Sequence, residues 1–153
     1  EMAIQNERKA AKFYRRAARL FADRERWGFL LELADMEDRH EQVFSNMLEK
    51  LSAAEKQPTA YDPMNEAALF LEAMAAGHGG EGSRKAAAVL TGRESKREVL
   101  RKAIDLEGKT ILFFIALRDM VPAKLGRDKI DRVIQEEKEH AALLAKQLRE
   151  LKK

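Results

Sequence analysis

The sequence predicts an all-α protein built on four long amphipathic helices, and three observations carry that prediction. Ala, Leu, Glu, Lys and Arg dominate the 153 residues, while Val, Ile and Thr are sparse, a balance that favours helix over strand. Only three Pro and eight Gly interrupt the chain. Apolar residues recur at steps of three and four along four segments, the period of a helix face. With 45% apolar and 36% charged residues, residues 1–153 are read as a single domain large enough to bury a core.

The first helix is expected over residues 1–22, with the stripe Ile4, Glu7, Ala11, Tyr14, Ala18 and Phe21. The chain opens inside this helix, as it would if an upstream segment had been trimmed. The second helix is expected over 26–51, with the stripe Leu30, Leu33, Glu37, His40, Phe44, Met47 and Leu51. Trp27 and Phe29 open it and read as packing residues. A long connection follows. It starts with the breakers of 57–63 and holds a shorter helix over 64–76. The Gly-rich tract 77–82 comes next, which puts His78 in an exposed loop, and then one or two turns around 86–90.

The third long helix is expected over 95–120, with the stripe Leu100, Ile104, Glu107, Ile111, Phe114 and Leu117. Ser95 and Glu98 have the spacing of a capping box. Val121-Pro122 ends the helix, because Pro lacks the amide hydrogen needed to continue it. The fourth helix is expected over 128–151, with Asp128 as N-cap and the stripe Ile130, Val133, Glu137, His140, Leu144, Leu148 and Leu151. Short loops make each helix pair an antiparallel hairpin. The long middle connection can run the length of a bundle and bring the third helix back parallel to the second.

The two halves repeat. Ile4, Glu7, Phe13, Glu37, His40, Leu48 and Leu51 recur 100 positions later as Ile104, Glu107, Phe113, Glu137, His140, Leu148 and Leu151. Within this repeat lies one pattern, Glu7…Glu37-x-x-His40 and Glu107…Glu137-x-x-His140, with the same 30-residue spacing in both halves. A Glu and a His at i, i+3 lie one above the other on a helix face.

All six residues stand on the apolar stripes, where packing residues are expected. A lone core His or Glu is usually a hydrogen-bonded core residue, and one Glu-x-x-His arises readily in Glu-rich helices. The doubled pattern, with a further Glu on each of the other two stripes, is the ligand set of a carboxylate-bridged di-metal site in a helical bundle. Four buried carboxylates would repel one another, and two divalent cations would make the cluster near neutral. Carboxylate and imidazole without thiolate suit iron or manganese better than a pair of zinc ions. Bundle geometry makes Glu37 and Glu137 the bridges. Glu7 and His40 then complete one metal position, and Glu107 and His140 the other. Glu136 is rotated about 100° off this face and reads as lying behind the ligands or on the surface.

Other classes are disfavoured. The chain has no Cys, hence no disulfide, no thiolate metal site and no four-cysteine iron site of its own. That is compatible with a reducing cytosol, and a cytoplasmic location is the expectation. The longest apolar run, 111–117, is far short of the ~20 residues that cross a bilayer, and no signal peptide is visible. The net charge of +3 comes from scattered Lys and Arg without stacking aromatics, which argues against nucleic acid.

At these residues the chain resembles the rubrerythrin-like branch of the ferritin-like superfamily. The resemblance rests on Glu7 with Phe13-Tyr14, on Leu33-Ala34-Asp35-Met36-Glu37-Asp38-Arg39-His40, on Glu107 with Phe113-Phe114, and on Glu136-Glu137-Lys138-Glu139-His140. It covers nearly the whole chain. It implies a ferritin-like four-helix bundle, two Fe ions (or Mn) in its core, reaction with hydrogen peroxide or O2, and a homodimer or larger assembly. Tyr14 resembles the family's tyrosine that hydrogen-bonds a ligand carboxylate from the opposite half, here Glu107.

Three departures stand out. The rubredoxin-like domain is absent, so a separate electron-donor protein is implied. The extra Glu of the third helix, three residues after the single Glu, is Thr110 here. Phe114 stands at the repeat position of Tyr14. The expected function is an oxidoreductase that reduces hydrogen peroxide or O2. A ferroxidase or iron-storage protein, and a helical bundle with a purely structural metal, are the other classes the residues fit.

Overall fold

The computed structural model describes residues 1–21, 27–53, 55–56, 64, 66–76 and 90–151. Among these residues the protein is all-helical, with no strand. Its helices are α1 (Met2–Arg19), α2 (Phe29–Lys50), α3 (Glu66–Ala76), α4 (Lys96–Met120) and α5 (Arg127–Glu150), with a short 3-10 turn at Ala123–Leu125. The breakers of 57–63, the Gly-rich tract with His78, and positions 86–89 lie outside the described residues. Leu90, the first described residue after them, is fully buried.

The start of α4 is built as its sequence signals. Glu98 N–H donates to Ser95 Oγ (3.3 Å) and Ser95 N–H donates to Glu98 Oε2 (2.8 Å). Just upstream, the Glu94 carboxylate accepts from Lys102 Nζ (2.8 Å) and from the amides of Thr91 (2.8 Å) and Gly92 (2.9 Å). These donors, Lys102 first, hold the Glu94 carboxyl well below the usual carboxylate range.

The start of α5 differs from expectation. Its N-cap is Gly126, with φ 95°, and Asp128 lies inside the first turn. The 3-10 turn after Pro122 tightens the chain, and a glycine in the left-handed region lets the helix begin early. A Cβ at Gly126 would come within 3.1 Å of Met47 Cε, so the position is also sterically confined.

Helices pack more densely within the pairs α1–α2 and α4–α5 than across them. Contacts give their directions. Arg8 meets Glu41 (2.7 Å) and Arg15 meets Asp38 (3.1 Å), so α1 and α2 are antiparallel. Across the pairs, Met36 lies beside His140 and Glu136 beside His40, so α2 and α5 are antiparallel too.

Two apolar clusters fill the interior. One gathers Tyr14, Trp27, Leu30, Leu33, Leu100 and Leu144, and the other gathers Ile4, Phe44, Phe113, Phe114, Ile130 and Val133. In α4 the buried arc is turned from the expected stripe. Ile104, Ile111 and Leu117 are half-buried, whereas Val99, Ala103, Leu106, Thr110 and Phe113 are buried. Val99, Ala103 and Leu106 share one cluster with Ala10 and Phe13 of α1, and Phe113 shares the other with Ala3 and Ile4. Among the described residues no helix is long and apolar enough to cross a membrane.

Replacing Ser95 by Ala removes the cap and is expected to cost about 1 kcal/mol, read from the shift in denaturation midpoint. Leu30→Ala, at a fully buried position, is expected to cost about 2–5 kcal/mol in the same measurement. An unchanged midpoint for Ser95→Ala would show that the cap contributes nothing.

Candidate metal centre

Between the two apolar clusters lies a polar layer. Glu7 comes from α1, Glu37 and His40 from α2, Glu107 from α4, and Glu137 and His140 from α5. Each is at most 4% exposed. The i, i+3 spacing turns both residues of each Glu-x-x-His pair to the same side.

The fold brings the six together as two overlapping groups, Glu7–Glu37–His40–Glu137 and Glu37–Glu107–Glu137–His140. Within each group one ligand atom from every residue lies within 4.8 Å of the others. Glu37 and Glu137 belong to both groups. Each imidazole turns Nδ1 inward. His40 Nδ1 lies 2.9 Å from Glu137 Oε1 and 3.7 Å from both Glu7 and Glu37. His140 Nδ1 lies 3.1 Å from Glu137 Oε2, 3.2 Å from Glu37 and 3.9 Å from Glu107.

This crowding shifts the proton affinities. Burial pushes the Glu7 carboxyl well above the usual carboxylate range; His40 opposes the shift, and the Glu37 and Glu137 charges add to it. Burial does the same to Glu107, reinforced by Glu137 and Glu37. For Glu137 burial is outweighed by its two imidazole partners, which hold it at about 2. Burial alone would lower the histidines, but Glu137 and Glu37 raise His140 to about 9 and, with Glu7, raise His40 further.

Side-chain hydrogen bonds do not complete the layer. Both oxygens of Glu7 and of Glu37, Glu137 Oε1 and His40 Nδ1 are buried without a hydrogen-bond partner. His40 Nδ1 and Glu137 Oε1 are close, yet they lack hydrogen-bond geometry. Buried polar atoms left this way cost about 1–3 kcal/mol each, more when charged. Lone pairs converging from four carboxylates and an inward-facing imidazole nitrogen form a donor set that cations satisfy. These residues can hold metal ions.

Behind this set, the Tyr14 hydroxyl donates to Glu107 Oε1 across the two halves. Burial and then the Glu107 charge push Tyr14 well above its ordinary value, so the phenol keeps its proton. Phe114, at the repeat position, stacks on Phe44 with centroids 4.9 Å apart and offers no donor. Thr110 is buried and brings no carboxylate.

Two further residues touch the outward edges of the imidazoles. Glu136 Oε2 lies 2.8 Å from His40 Nε2, and Met36 Sδ lies 3.0 Å from His140 Nε2. Glu136 stays outside both ligand groups, but its side chain is long enough to reach α2. Sequence reasoning missed Met36, although its 100-residue offset from Glu136 was the available signal. Both imidazoles line a groove of about 970 Å3 between α2 and α5.

The shifts make a pH prediction. Glu7, Glu107, His40 and His140 all bind protons more tightly when folded, so their contribution to the metal-free protein is full at low pH. It is lost as pH rises through the folded values, about 9 for His140. The melting temperature of chelated protein is therefore expected to fall between pH 6.5 and 10. A divalent metal should restore it while releasing protons into a weakly buffered solution. A flat profile with no proton release would contradict this. Tyr14→Phe leaves a buried carboxylate without its donor and should cost about 1–3 kcal/mol in chemical denaturation.

Family models, curated proteins and solved structures yield no match to this chain.

Proposed function

We propose that the chain is a ferritin-like, rubrerythrin-like protein that holds two iron or manganese ions and reduces hydrogen peroxide or O2. One observation carries the reading: two buried ligand groups share Glu37 and Glu137. Two carboxylates common to both groups are what a bridged pair of ions requires, and an isolated structural ion has no use for the second group. The hairpin repeat and the long connection between its halves support the ferritin-like arrangement. The all-oxygen-and-nitrogen donor set favours iron or manganese.

Bound ions supply Lewis acidity and one-electron redox steps, together enough for the two-electron reduction of peroxide to water. The chain's own residues do the rest. Tyr14 fixes the orientation of Glu107. The two apolar clusters on either side of the layer exclude bulk water. Glu7 and Glu107, with their raised proton affinities, keep protons close to the centre until ions displace them.

The groove walls favour a small neutral or anionic substrate over iron as cargo. Arg39, Lys50, Lys129 and Arg132 line it against Glu136 and Glu139, and this balance repels Fe2+ approaching by that route. These 153 residues hold no cysteine for a cluster, and a separate electron-donor protein is part of the proposal. A homodimer and a cytoplasmic location belong to the same proposal.

Metal analysis of the purified protein is expected to find close to two Fe or Mn per chain. Glu37→Ala is expected to lose at least one of them and to lower peroxide turnover with an added reductant by about 100-fold or more, since a shared ligand serves both positions. Full metal content and full turnover in Glu37→Ala would sink the proposal. Stabilisation by metal with no reaction toward peroxide or O2 would mark the ions as structural.

A further inference from the structure

The burial pattern of residues 31–50 returns in residues 131–150 position by position, with a single exception. That exception is Met36, half-buried, against Glu136, exposed. Each of these residues touches the outward nitrogen of the histidine contributed by the opposite half. The pseudosymmetry of the centre is thus broken where the two imidazoles meet their supports.

We propose that the two metal positions are chemically unequal, and that Glu136 makes them so. It acts as a positioning residue through His40, so that the Glu7–His40 position fills before, and more tightly than, the Glu107–His140 position. The inference rests on the di-metal reading above.

The physical reasoning starts from the two nitrogens of an imidazole. When Nε2–H donates to a carboxylate, the tautomer is fixed with Nδ1 bare, the ring cannot turn, and the ligating nitrogen gains basicity. Glu136 supplies that carboxylate at 2.8 Å. Its side chain is 55% exposed, so it keeps its hydration and needs no partner of its own. A thioether sulfur is only a weak acceptor, so Met36 packs against His140 without comparable electronic support. Removing a carboxylate behind a ligating histidine typically weakens metal binding by about 10–100-fold, which sets the size of the expected difference.

The test is a titration of the chelated 153-residue chain with Co2+, followed by visible absorption and calorimetry. Wild-type protein is expected to bind in two steps separated by about 10–100-fold in affinity. His40→Ala should remove the tight step and His140→Ala the weak one. Glu136→Ala should weaken the tight step alone and merge the two, with Glu136→Gln restoring part of the loss.

Met36→Glu supplies the missing carboxylate to the other half. It should tighten the weak step toward the tight one, a gain that damage to the fold cannot produce. Equal steps in wild-type protein would overturn the inference while leaving the di-metal reading intact. So would an unchanged tight step in Glu136→Ala, or both steps falling together with the melting temperature of the chelated protein. No Co2+ uptake at all would overturn the di-metal reading and this inference with it.

Discussion

Four carboxyl groups and two imidazoles share one buried layer between the halves of this protein, and balancing their charge is the constraint on which the rest of the structure depends. Protons or divalent cations can do so. With protons, Glu7 and Glu107 are held in their neutral form and the histidines as cations, which explains why burial raises two carboxyls while Glu137 stays low. With two divalent cations, those protons have no place. The apolar clusters above and below it make the exchange consequential, because they remove the water that would otherwise screen it.

The parts of this layer that follow from helical period are legible in the sequence. Glu37 with His40, and Glu137 with His140, must share a face at i, i+3, and a stripe that buries Leu30, Leu33 and Phe44 must bury them as well. The capping box of Ser95 and Glu98 is equally local. What could not be read depends on reach between helices or on backbone sign. Gly126 begins α5 because a 3-10 turn delivers it at a positive φ, which composition does not announce. Glu136 points off the ligand face of its own helix, and only the position of α2 brings His40 within its range. The turned burial arc of α4 depends on packing against the other helices, which brings Ala103 and Thr110 inside and leaves Ile104 and Ile111 half-buried.

The repeat gives the centre its symmetry, and the deviations from it give the centre its chemistry. Tyr14 supports Glu107, while Phe114 gives Glu7 no such donor and instead completes the stack on Phe44. Glu136 and Met36 break the symmetry a second time, on the groove side. Both departures leave the ligands in place and change only what stands behind them. On the proposed di-metal reading, the repeated hairpin thereby gains two different positions while the packing around them stays alike.

The separation of the ligands between two tightly paired hairpins also has a kinetic side. Pairing within α1–α2 and within α4–α5 is local along the chain, so each hairpin can form quickly and with little loss of chain entropy. Neither hairpin alone brings all four carboxylates together. The electrostatic barrier therefore falls on the last event, when the halves close on each other. On the proposed di-metal reading, cations present at that moment would neutralise the converging carboxylates and so couple the docking of the halves to metal binding.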